Sequence, residues 1–105
     1  MVFYETNIFT AQIVGLLSDE SYRELQNQIV ANPEAGDLIP GSQGLRKIRW
    51  KVEGRGKRGG MRVIYYLVTR VEVFMIFAYK KNEQENLTPE QARKLRQLVD
   101  DHLKS

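Results

Sequence analysis

Cysteine is absent from this chain of 105 residues, histidine occurs once, as His102, and only three prolines interrupt it. Without cysteine there are no disulfides, no thiolate nucleophile and none of the usual thiolate ligands of zinc, a composition that fits a reducing cytoplasm. With one imidazole, and no clustered Asp or Glu, neither a metal site nor a Ser-His-Asp triad can be assembled, and no cofactor is expected. His102 falls in the last turn of an expected helix, where a histidine is commonly a benign C-terminal group. No apolar run approaches about twenty residues, and the start, MVFYETNIFT, lacks a basic segment followed by an apolar one. The expectation is one cytoplasmic domain spanning residues 1–105, with no membrane association, burying roughly two-thirds of its unfolded surface.

Acidic charge is scarce in one particular place. From Gly44 to Arg70 lie nine of the sixteen Lys and Arg residues, opposed only by Glu53, whereas the first forty residues carry six acids and a single base, Arg23. In GLRKIRWK the cations alternate with apolar residues at the period of a strand. Lys47, Arg49 and Lys51 therefore share one face, and Ile48, Trp50 and Val52 the other. A sheet that presents a row of cations fits a polyanionic partner.

The remaining pattern predicts an α+β fold. Val2–Glu5 reads as a short strand, and 6–17 as a helix with Ile8, Phe9, Ile13, Leu16 and Leu17 at helical spacing. Ser18 followed by Asp19 and Glu20 opens a second helix, which Asn32-Pro33 ends. The glycines and Pro40 that follow predict a loop, and 45–52, 61–69 and 72–79 an antiparallel meander whose last two strands are apolar on both faces. Thr88-Pro89-Glu90-Gln91 predicts a capped C-terminal helix to about Lys104. Its apolar stripe, Ala92, Leu95, Leu98, Val99 and Leu103, suits docking on the sheet or on a partner. Tyr65, Tyr66, Phe74, Phe77 and Trp50 are expected to pack in the core rather than to stack on bases.

Gly54-Arg55-Gly56-Lys57-Arg58-Gly59 matches the dinucleotide pattern G-x-G-x-x-G literally, but a strand follows it where that fingerprint needs a helix. The chemistry left to Lys, Arg, Tyr and backbone suffices for RNA cleavage, because the attacking group is the substrate's own 2′-hydroxyl. Arginines can clamp the phosphorane as its charge builds, and a lysine among other cations can serve as proton donor or acceptor.

Three segments, GLRKIRWK, GKRGGMRVIYY and AYKKNEQENLTPEQ, together with the loop formed by Asn32, Pro33, Gly36, Asp37, Ile39 and Gly41, resemble the RelE toxin superfamily, most closely its HigB-type branch. The resemblance covers nearly the whole chain. It implies a small fold with two N-terminal helices on one face of an antiparallel sheet and a C-terminal helix. The implied activity is that of a type II toxin: a metal-independent endoribonuclease that cleaves mRNA in the ribosomal A site and blocks translation. The implied partners are the ribosome, mRNA and a cognate HigA-like antitoxin with a helix-turn-helix, through which alone operator DNA would be met.

Carried over by position, Arg62 in GGMRVIYY matches the arginine that contacts the scissile phosphate. Lys47 and Arg49 match the strand cations of proton transfer and phosphate contact, and Lys81 the basic residue just beyond the last strand. Tyr79 shares parity with Lys81 and can take an aromatic role, since Leu87 stands where RelE has a tyrosine. Arg46, Lys51, Arg55, Lys57, Arg58 and Lys80 complete the expected RNA-binding cations. Two alternatives stay open at this point: a ParE-like gyrase inhibitor on the same scaffold, and a noncatalytic RNA-binding module.

Overall fold

A computed structural model describes residues 1–52 and 60–104. The chain forms β1 (Val2–Glu5), α1 (Asn7–Leu16), α2 (Asp19–Ala31), β2 (Asp37–Leu38), β3 (Arg46–Trp50), β4 (Met61–Thr69), β5 (Glu72–Lys80) and α3 (Pro89–Lys104). The G-x-G-x-x-G match and the cations Arg55, Lys57 and Arg58 lie outside the described residues. Each helix starts where the sequence supplies a cap. The Thr6 hydroxyl accepts from the Phe9 amide and the Ser18 hydroxyl from the Ser21 amide. At α3, Thr88 and Gln91 close a reciprocal box, the Gln91 amide donating to Thr88 Oγ1 and the Thr88 amide to Gln91 Oε1, each at 3.0 Å.

The three predicted strands do form an antiparallel meander, but the sheet has five strands in the order β1-β5-β4-β3-β2. β1 adds in parallel to β5, Val2 opposite Glu72 through Glu5 opposite Met75. Where β1 ends, α1 continues to satisfy the edge of β5. Thr6 Oγ1 donates to the Ile76 carbonyl at 2.8 Å, and Gln12 Oε1 accepts from the Ala78 amide at 2.9 Å. β2 is the element that alternation missed, because two residues, Asp37 and Leu38, pair with Lys47 and Arg46 inside a stretch rich in glycine and proline.

Both faces of the sheet are covered, as the apolar character of β4 and β5 demands. On one face Val63, Tyr65, Val73 and Met75 pack with Phe9, Ile13, Leu25 and Ile29 of α1 and α2. On the other, Ile64, Phe74 and Ile76 pack with Leu95 and Val99 of α3. The stripe of α3 is thus spent on the sheet, although Leu103 remains exposed. His102 belongs to this packing, stacked on Phe74 with centroids 4.3 Å apart. Tyr65 and Phe74 are buried and Tyr66 and Phe77 half-buried, as core aromatics should be. Trp50, expected to be buried, is half-buried, and its indole nitrogen donates to Ser21 Oγ at 3.1 Å.

The loop before β3 is clamped by one phenol. Tyr65 donates its hydroxyl to the Pro33 carbonyl at 2.8 Å and accepts from the Gly36 amide at 2.9 Å. Gly36 lies so close to that ring that a Cβ there would fall 2.8 Å from it, so only glycine fits without displacement.

Candidate functional site

β4 and β5 do not alternate uniformly. Tyr65 faces Met75 and Ile64 faces Phe77, so Ile76 is an extra residue, a bulge that shifts the phase of β5 by one. Beyond it, Tyr79 lies on the same face as Ile76 rather than on the face of Met75. There it pairs with Arg62, which pairs with Arg49 on β3, so three neighbouring strands set Arg49, Arg62 and Tyr79 in one transverse row. The adjoining row is Lys47, Ile64 and Phe77.

The two inner members of the row are sunk into the protein, while Arg49 is exposed. Arg62 keeps only 9% of its surface in solvent, and its Nη1 donates to the Met61 carbonyl at 3.2 Å. Tyr79 is 5% exposed, and its hydroxyl is a buried polar atom with no hydrogen-bond partner among the described residues. Burial pushes the Tyr79 phenol above its ordinary pKa, and the nearby Arg62 charge pulls it partly back. An unsatisfied buried hydroxyl costs stability, so it is unusual in a folded chain unless an ordered water or a ligand supplies the missing partner. Lys47, half-buried in the adjoining row, donates from Nζ to Asn86 Oδ1 at 3.1 Å.

The other expected site residues divide. Lys51, exposed, follows β3 with the parity of Lys47 and Arg49, and Lys81 follows β5, its amide donating to the Gly60 carbonyl at 3.0 Å. Arg46 and Lys80, also expected among the RNA-binding cations, stand on the other parity of their strands. Arg46 shares the face of Ile48, and its guanidinium donates to the Gly36 carbonyl at 2.7 Å and approaches Glu34 at 3.9 Å, which makes it a brace for the loop. Lys80 pairs with Met61, a residue of the α1/α2 core, and so stands on the opposite parity from Tyr79.

Beside the rows, a cleft of about 840 Å³ opens between β3, the loop before it and α3. Lys47 and Arg49 line one side and Arg93 and Arg96 the other, with Asp37 and Asp100 as the acids. Arg96 is engaged on three sides. It bonds Asp100 at 3.0 Å, donates to the Gln43 carbonyl at 2.7 Å and lies 5.1 Å above the Tyr66 ring. Sequence reading passed over Arg93, Arg96 and Asn86. The i,i+4 spacing of Arg96 and Asp100 was the available signal, but the partner loop lies about fifty residues away in the chain and has no periodicity. Among the described residues no group of His, Cys, Asp or Glu could hold a metal ion.

A family model described as the RelE toxin of the RelE/RelB toxin-antitoxin system matches residues 17–105. The chain belongs to the RelE toxin family. The fold agrees: the structure of E. coli toxin RelE in its free state, carrying two arginine-to-alanine changes, superposes with a TM-score of 0.57 over 89% of this chain and 94% of that one, at 20% identity. As a RelE-family toxin of a toxin-antitoxin system, the protein has an antitoxin as its implied partner. Among the described residues no helix is long and apolar enough to cross a membrane.

Proposed function

We propose that this toxin is a ribosome-dependent endoribonuclease of the HigB type, which cuts mRNA in the A site and is silenced by a HigA-like antitoxin. The observation that carries the reading is the row of Arg49, Arg62 and Tyr79, in which a buried cation sits beside a buried hydroxyl lacking a partner. A phosphodiester laid across the row would receive two guanidinium groups at its non-bridging oxygens and a phenol hydrogen bond. The 2′-oxygen attacks the adjacent phosphorus, the bond to the 5′-oxygen breaks, and a 2′,3′-cyclic phosphate is left. The 2′-hydroxyl proton passes to a base and the leaving oxygen receives one. Lys47 and Lys81 are assigned to these transfers, since a guanidinium stays protonated at neutral pH. The nucleophile belongs to the substrate, so the reaction needs no metal to generate one.

Lys51 and the cations of the segment outside the described residues, Arg55, Lys57 and Arg58, are assigned to contact with RNA. The testing experiment maps cuts by primer extension on a defined message, free and on programmed ribosomes. Cuts confined to A-site codons on ribosomes are expected, with Arg62→Ala lowering the rate about 100-fold or more, equivalent to ~2.7–4 kcal/mol of transition-state stabilisation. An Arg62→Ala protein that cuts at the parental rate refutes the site. An uncut message in both settings would favour gyrase inhibition or plain RNA binding.

A further inference from the structure

We propose that the cleft between β3 and α3 is a second contact for the message, in which Arg93 binds a backbone phosphate flanking the cut. The inference rests on the ribonuclease reading and extends it to a residue that lies outside the row.

Arg49 belongs to both features. It pairs with Arg62 in the row, and its side chain also lines the cleft. A strand with its reacting phosphate over Arg62 therefore continues over Arg49 into the cleft, where Arg93 faces it from α3. Four cations line this space against two acids, and one of those acids, Asp100, is bound to Arg96. Two other cations of α3 are paired, Lys94 with Glu90 at 3.7 Å and Arg96 with Asp100 at 3.0 Å. Arg93 is exposed and has no carboxylate within salt-bridge distance among the described residues.

The helix that presents it is held from two directions. Arg96, one turn further along, ties α3 to the Gln43 carbonyl, and Leu95 and Val99 bury its inner face. An arginine on a fixed helix loses less freedom on binding phosphate than one on a loop. The apolar lining at Ile39, Pro40 and Leu87 suits an unstacked base better than a hydrated ion alone. Single-stranded RNA offers both an anion and apolar rings at the spacing of one nucleotide.

The test uses the whole toxin with Arg93→Ala, Arg93→Glu, and Lys94→Ala as a control that removes the same charge outside the cleft. Binding to a 2′-O-methyl, hence uncleavable, RNA of about ten nucleotides is followed by fluorescence anisotropy across a salt series. Arg93→Ala should weaken binding about 3- to 10-fold and Arg93→Glu more. The log-log salt slope should flatten by about 0.7, the loss of one phosphate contact, while Lys94→Ala binds like the parent. On programmed ribosomes Arg93→Ala should raise KM more than it lowers kcat. An Arg93→Glu protein that binds the oligonucleotide like the parent overturns the proposal. So does a defect confined to ribosome affinity, which would give the contact to ribosomal RNA. A failure of the ribonuclease reading is seen separately, as a message that the parent toxin leaves uncut on programmed ribosomes.

Discussion

Tyr79 and Tyr65 are neighbours in fold and opposites in use. The Tyr65 hydroxyl closes two bonds to the loop before β3, at Pro33 and Gly36, whereas the Tyr79 hydroxyl is buried without one among the described residues. Removing each oxygen should therefore give opposite results. Tyr65→Phe leaves a buried amide and a carbonyl unpaired and should cost about 1–3 kcal/mol in urea unfolding. Tyr79→Phe removes an unsatisfied group and should leave stability equal or slightly higher, while cleavage falls about 10-fold. A Tyr79→Phe toxin both as active and as stable as the parent would remove the phenol from the site. Sequence alone could name Tyr79 by resemblance, but not this contrast, because satisfaction depends on partners some thirty residues distant. For the same reason Arg46 read as one more basic residue, although its guanidinium braces Gly36.

At the scale of elements, the helices were the most legible part of the chain, since their boundaries rest on local chemistry. Thr6, Ser18 and Thr88 each cap the helix that follows, and Asn32 ends α2 before Pro33. The box at α3 is also a device of the site, because it fixes the helix just beyond Asn86, which holds Lys47. Thr88→Ala should cost ~1 kcal/mol of stability. The double change with Gln91→Ala should cost less than the sum of the single ones, because the loss of either bond of the box loosens the other; strictly additive unfolding midpoints would count against the box. β2 and the parallel docking of β1 were not legible. Two residues are too few to show alternation, and pairing between the first strand and the fifth is a contact between distant parts of the chain.

At the scale of the whole molecule, phenols on both sides of the sheet share a direction. Burial raises the pKa of Tyr22, Tyr65 and Tyr79, and the carboxylate of Glu5, which accepts from the Tyr22 hydroxyl, raises Tyr22 further. In the unfolded chain these groups ionise near pH ~10. Below that pH both states are protonated and the contribution to stability is complete. Above it the unfolded chain loses protons that the folded one retains, so stability falls as pH rises. Urea midpoints from these groups should be flat to about pH 9.5 and drop beyond, with phenolate absorbance of the folded protein delayed relative to the unfolded one. Coincident phenolate titrations in the two states would contradict this. Global charge segregation was plain in the sequence, but which cations lie side by side was decided by strand register.

The bulge at Ile76 divides β5 into two lengths that run out of step. All four pairings to β1 fall before it, at Glu72–Met75, while the partner of Arg62 falls after it. The strand thus works like a ruler with an offset join, one part anchoring the sheet's margin and the other aiming the phenol. Were Ile76 instead to pair with Ile64 in unbroken step, Ala78 would stand opposite Arg62 and Tyr79 would turn toward α1, so that a toxin with every one of these side chains would lose their alignment through register alone.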